Sequence, residues 1–144
     1  MELALDCRSA DGSYRRKELL LRTAVAIAVA GALGALARYA LEGFVSRRTA
    51  GAFPWGTFVV NVSGAFVLGL VFTVMTEQLT VAPWLRSAVT IGFLGAYTTF
   101  STFSFETYRL TEDGALGIAA ANAFGSLAAG FTAVYLGVVA GRAL

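Results

Sequence analysis

Four times along this chain the charged residues stop for long enough to cross, or nearly cross, a lipid bilayer. No charge falls from Thr23 to Ala37, from Thr49 to Thr76, from Ser87 to Phe105 or from Ala115 to Gly141. A spanning helix needs roughly 20 apolar residues. The pattern therefore predicts four spans with short turns, at about Leu19–Leu41, Trp55–Thr76, Trp84–Tyr108 and Ala115–Gly141. Hydrophobic residues make up 57 % of the 144, charged residues only 14 %, and the mean hydropathy is +0.70. Such a composition belongs to an integral membrane protein. The expected fold is all-α, one four-helix transmembrane domain over residues 19–144 behind a polar, mobile tail at residues 1–18. The apolar stretch from Leu19 is long and lacks a cleavage pattern, so it reads as a span rather than a signal peptide.

The third span is the most unusual. Between Thr98 and Ser104 every residue is hydroxylated except Phe100 and Phe103. Gly92 and Gly95 come just before, and each Gly costs a helix about 1 kcal/mol relative to Ala. A lipid-facing helix has no use for this pattern. It predicts a helix broken near mid-membrane, with hydroxyl donors and ring edges turned toward something that passes.

The residue inventory excludes much. Histidine is absent, and the one cysteine, Cys7, lies in the tail, which removes disulfides, thiolate–imidazole pairs and most transition-metal sites. No acid sits at any membrane centre, so no base is available to activate the Ser and Thr hydroxyls. Catalysis is not expected, and proton-coupled transport lacks its usual carboxylate or imidazole relay. A net charge of +2 is too small to argue for nucleic acid.

Each polar residue in the spans has two readings. Arg38, one turn past Gly34, is a snorkelling interfacial arginine or part of a cationic vestibule. Thr57, Asn61 and Gly64 share one face of the second span, and Asn61 is either an interhelical hydrogen-bonding group or a pathway-lining amide. Glu106 is an interfacial acid or lies at a pore mouth. In the first span Ala30–Gly34 and Gly31–Ala35 allow close helix approach. In the fourth, Asn122, Ser126 and Gly130 recur every four residues, and Gly117, Ala121 and Gly125 form a second row that suits plain helix packing. An uncharged path rich in donors can replace an anion's water shell without trapping it. Phe100 and Phe103, at i and i+3, can add the positive edges of their rings.

Orientation is weakly specified. Arg8, Arg15, Arg16, Lys17, Arg22, Arg86 and Arg142 fall on the side of the termini, against Arg38, Arg47, Arg48 and Arg109 opposite. Most of the excess is in the tail, so the positive-inside bias is small.

GALGALARY in the first span, GTFVVNVSG in the second and GFLGAYTTFSTFSFE in the third resemble the Fluc (CrcB) fluoride channel family, over about Leu19–Leu144. The resemblance implies an antiparallel, dual-topology homodimer in the bacterial inner (plasma) membrane, with two pores that let fluoride leave the cell passively. Carried over by position, it implies that Asn61, Phe100, Ser101, Thr102, Phe103 and Ser104 line the pore, joined by Ser126 of the fourth span. Arg38 and Glu106 match its vestibule residues. Gly95 and Thr98 match the break whose backbone carbonyls hold a structural sodium ion, Na+, at the dimer interface. Ala30 and Ala96 stand where many members have Gly, which predicts slightly looser helix approach there. A small four-helix multidrug exporter and a non-conducting membrane assembly subunit are the alternatives. The exporter needs a carboxylate within its first span, and this chain has none there.

Overall fold

In the computed structural model the backbone is described from Glu2 and the side chains from Tyr14 to Leu144; the tail expected at residues 1–18 lies, up to Ser13, outside the described side chains. All the regular structure among the described residues is helical. Helix α1 (Glu2–Ser46) leads through a loop to α2 (Trp55–Thr73), which ends in a π-helical turn, Val74–Gln78. The third segment is composite. It comprises α3 (Pro83–Ser87), a π-helical stretch (Ala88–Leu94), the single turn α4 (Gly95–Tyr97) and α5 (Phe100–Glu112). Helix α6 (Leu116–Arg142) closes the chain.

The boundaries follow local chemistry. Pro83 occupies the first turn of α3, where its missing N–H costs nothing, and Ala82 before it is extended, as a residue ahead of proline prefers. Between α4 and α5 the backbone leaves the helix: Thr98 has φ −80°, ψ 156° and Thr99 φ −145°, ψ 114°. β-branched residues tolerate extended backbone well. Helix α5 then restarts with Thr99 as its N-cap, the hydroxyl accepting from Thr102 N–H at 3.2 Å. At the other end of α5, Gly114 takes φ +73°, with Gly114 N–H on Thr111 O and Ala115 N–H on Leu110 O. That is the Schellman pattern, and it returns α6 alongside α5 within a few residues.

Among the described residues, three helices are long and apolar enough to cross a membrane: Tyr14–Ser46, Trp55–Gln78 and Leu116–Arg142. The third segment consists of shorter pieces. Helix α1 packs on the π-helical stretch, where a Cβ on Gly34 would collide with the Phe93 carbonyl. Helix α2 packs along α6, where a Cβ on Gly137 would collide with the Phe66 carbonyl. Backbones this close gain dispersion energy that lipid cannot match.

One packing expectation changes. The row Gly117, Ala121, Gly125 packs on nothing within the chain: a Cβ on Gly117 or Gly125 meets no atom within 4 Å. Helix α6 instead turns Asn122, Ala133, Gly137 and Gly141 inward, and those four are buried. Ala30 and Ala96, expected to loosen helix approach slightly, each stand opposite a glycine. Ala30 faces Gly92, and Ala96 faces Gly31, so each extra methyl meets a residue that has none.

Candidate functional site

The face of α2 that carries Thr57, Asn61 and Gly64 lies against the third segment, and each of the three meets a different part of it. Gly64 leaves room for the Thr98 side chain. Asn61 bonds Thr99 twice: Thr99 N–H donates to Asn61 Oδ1 at 2.7 Å, and Asn61 Nδ2 donates to Thr99 O at 3.0 Å. Thr57, 2 % exposed, donates to Glu106 Oε1 at 2.9 Å. Extended backbone in an apolar setting must find partners for its N–H and C=O. For Thr99 the side chain of Asn61 supplies both.

Beside this junction lies a groove of about 340 Å³, lined by α2, the third segment and α6. Asn61, Gly95, Thr98, Phe100, Phe103 and Ser126 all line it, so these six expected site residues are brought together. The rings of Phe100 and Phe103 are 5.8 Å apart between centroids and inclined at 42°. Phe100 is exposed and Phe103 half-buried.

The remaining hydroxyls of the motif are deployed differently. Thr98 donates to Leu94 O at 3.0 Å and Ser104 to Phe100 O at 2.9 Å, each returning its proton to its own helix. Thr99 donates to Thr102 Oγ1 at 2.9 Å, and Ser101 lies 3.4 Å from the same Thr99 oxygen. Ser101, Thr102 and Ser104 are not among the residues that line the groove.

Arg38 and Glu106 sit toward the end of the bundle that carries the α1–α2 loop. No ion pair joins them among the described residues, and each keeps one buried polar atom, Arg38 Nε and Glu106 Oε2, without a partner. No hydrogen bond among the described residues reaches the carbonyl oxygens of Gly95 or Thr98. Two hard oxygen donors left free beside the extended residues suit a cation such as sodium.

Sequence reasoning overlooked two hydrogen-bonding partners. Thr99 was readable as an N-cap from its position ahead of α5, though not as the residue that engages Asn61. Thr107 had no signal at all: its link to Asn122, at 2.8 Å, joins α5 to α6 and exists only in the folded chain.

Residues 25–138 match the family described as CrcB-like protein, Camphor Resistance (CrcB). The chain belongs to the CrcB-like family. Among curated relatives, a protein of Citrifermentans bemidjiense is 52 % identical over 83 % of this chain and 97 % of its own length. One from Geotalea uraniireducens is 49 % identical over 86 % of this chain and 100 % of its own, and one from Geobacter sulfurreducens 46 % identical over the same shares. All three relatives carry the name Fluoride-specific ion channel FluC. As a CrcB-like protein with three helices of spanning length, the chain is a multi-pass membrane protein.

Proposed function

We propose that this protein is a fluoride-selective channel that lets fluoride leave the cytoplasm passively across the plasma membrane, a conducting protein and not an enzyme. The observation that carries the reading is the groove between α2, the third segment and α6, where Asn61, Phe100, Phe103 and Ser126 converge. Its support from outside the chain is the name shared by relatives that match it over nearly their whole length. Neutral HF crosses lipid, ionises in a near-neutral cytoplasm and leaves an anion trapped there; a donor-lined path returns it down its gradient.

In this reading the interruption at Thr98–Thr99 lies near mid-membrane. The ring edges of Phe100 and Phe103 meet the anion there, with the Asn61 amide beside them. Ser101, Thr102 and Ser104 continue the polar track toward Glu106, and Arg38 gathers anions at the mouth. None of these groups except Arg38 carries fixed positive charge, so the ion is attracted without being held. The groove is open on its outer side in a single chain, and we assign that side to a second copy in antiparallel orientation. The bare α6 face, with Gly117 and Gly125 unpacked and Phe124, Phe131 and Tyr135 exposed, supports such a partner. The carbonyls of Gly95 and Thr98 would then hold sodium between the two copies, where its charge satisfies oxygens that lipid cannot. Residues 19–144 act as one channel domain.

The test is purified protein reconstituted into fluoride-loaded liposomes, with efflux followed by a fluoride electrode. Rapid fluoride efflux, with no matching efflux from chloride-loaded liposomes read by a chloride electrode, is the expected result. Efflux no faster than from protein-free liposomes would refute the channel.

A further inference from the structure

Asn122 is 1 % exposed, the most deeply buried of the buried polar residues, and its amide joins α5 to α6. The direction of every proton around it follows from simple counting. Thr107 has one hydroxyl proton, and it goes to Phe103 O at 2.8 Å. Its oxygen must therefore accept from Asn122, which places Nδ2 on that side at 2.8 Å. That leaves Oδ1 facing Ser126 at 3.1 Å, and an amide oxygen has no proton to give. Ser126 must donate. Yet Ser126 also lines the groove.

We propose that Asn122 is a positioning residue that turns the Ser126 proton away from the groove, so that Ser126 meets the ion path with lone pairs only. The inference rests on the fluoride-channel reading and deepens it. A hydroxyl with its proton engaged elsewhere repels an anion and accepts from a water that travels with it. Recovering that proton for the ion would leave Asn122 Oδ1 buried and unpaired, which is costly in an interior with no other donor at hand. Ser126 is thus a station for the ion's water and not for the ion. The anion's donors then lie on the opposite wall, at Asn61 and the Phe100 and Phe103 rings.

Two substitutions free the proton by different routes. Asn122→Leu removes the acceptor at similar size. Thr107→Val removes the group that fixes the amide's direction, so the amide can turn Nδ2 toward Ser126, which then accepts and releases its proton to the groove. A hydrogen bond to a charged partner is stronger than one to a neutral group. Initial efflux from liposomes is measured across a range of internal fluoride. Both variants should lower the half-saturating fluoride concentration, by about fivefold or more. Each is then repeated in a Ser126→Ala background, where the half-saturating concentration should equal that of Ser126→Ala alone, because no proton is left to redirect. An intact Thr107→Val protein that saturates like the parent overturns the proposal. So does a shift that survives in the Ser126→Ala background, since Asn122 would then act by packing. If Asn122→Leu does not fold, the near-isosteric Thr107→Val pair decides alone. A parent protein that passes no fluoride would refute the channel reading itself, an outcome separate from either of these.

Discussion

Asn61 and Thr99 exchange two hydrogen bonds, 38 residues apart in the chain, in the way two paired strand residues do. One side chain on α2 therefore stands in for the missing strand beside an extended residue of the third segment. The amide that sequence reasoning assigns to an ion path is at the same time a structural fastening. Replacing it with leucine would strip Thr99 of both partners, and unpaired buried groups cost about 1–3 kcal/mol each. Asn61→Leu should therefore lower the thermal midpoint, read by tryptophan fluorescence, as well as the flux. An unchanged midpoint would show that the fastening contributes nothing, and any flux loss would then report the ion path alone.

Phe100 and Phe103 separate conduction from folding more cleanly, because neither makes a polar contact through its side chain. Exchange for leucine keeps apolar bulk and costs under about 1.5 kcal/mol in a packed site. If the ring edges contact the ion, losing an aromatic interaction of this class should lower efflux about tenfold. Phe44 serves as control: it lies at the loop end, with the Arg48 guanidinium 3.5 Å from its ring centroid, away from the groove. Efflux that survives both Phe100→Leu and Phe103→Leu would return the rings to a packing role.

The glycines of α6 divide into two groups with opposite expectations. A methyl on Gly137 runs into the Phe66 carbonyl, so Gly137→Ala should destabilise by about 1–3 kcal/mol. A methyl on Gly117 meets nothing within 4 Å of the same chain, and alanine is the better helix former by about 1 kcal/mol. Thermal denaturation should rank Gly117→Ala above Gly137→Ala. The reverse order would mean either that α2 and α6 do not pack as described or that the second copy assigned to the bare α6 face closes directly on Gly117.

Sodium bound by the Gly95 and Thr98 carbonyls would stabilise only the folded protein. The thermal midpoint should then climb with sodium concentration, by mass action, and stay flat in N-methylglucamine of equal ionic strength. Identical midpoints in the two cations would remove sodium from the structure. Because the proposed ligands are backbone oxygens, side-chain changes at Thr98 should weaken this dependence less than a Gly95→Pro change.

The small difference in Arg and Lys between the two ends predicts insertion in both directions. In a Cys7→Ser background, a Thr49→Cys variant should be labelled by a membrane-impermeant maleimide in about half of the molecules in intact cells. Complete labelling or complete protection would rule out dual topology.

The membrane character of this protein was legible residue by residue. Whether a stretch crosses lipid depends on its own length and polarity, so the uncharged runs around Val60, Leu94 and Ala133 declared themselves without reference to anything distant. The shared face of Thr57, Asn61 and Gly64 was legible for the same reason, since helical periodicity is local. What those side chains do was not. Asn61 gives its amide to Thr99, Ser126 gives its proton to Asn122, and α6 packs through Gly137 while Gly117 stays bare. A hydroxyl or an amide has a fixed number of protons and lone pairs, and which group claims them depends on what the fold brings within about 3 Å. Composition shows that donors are present; only the packed helices decide which of them remain free to meet an ion.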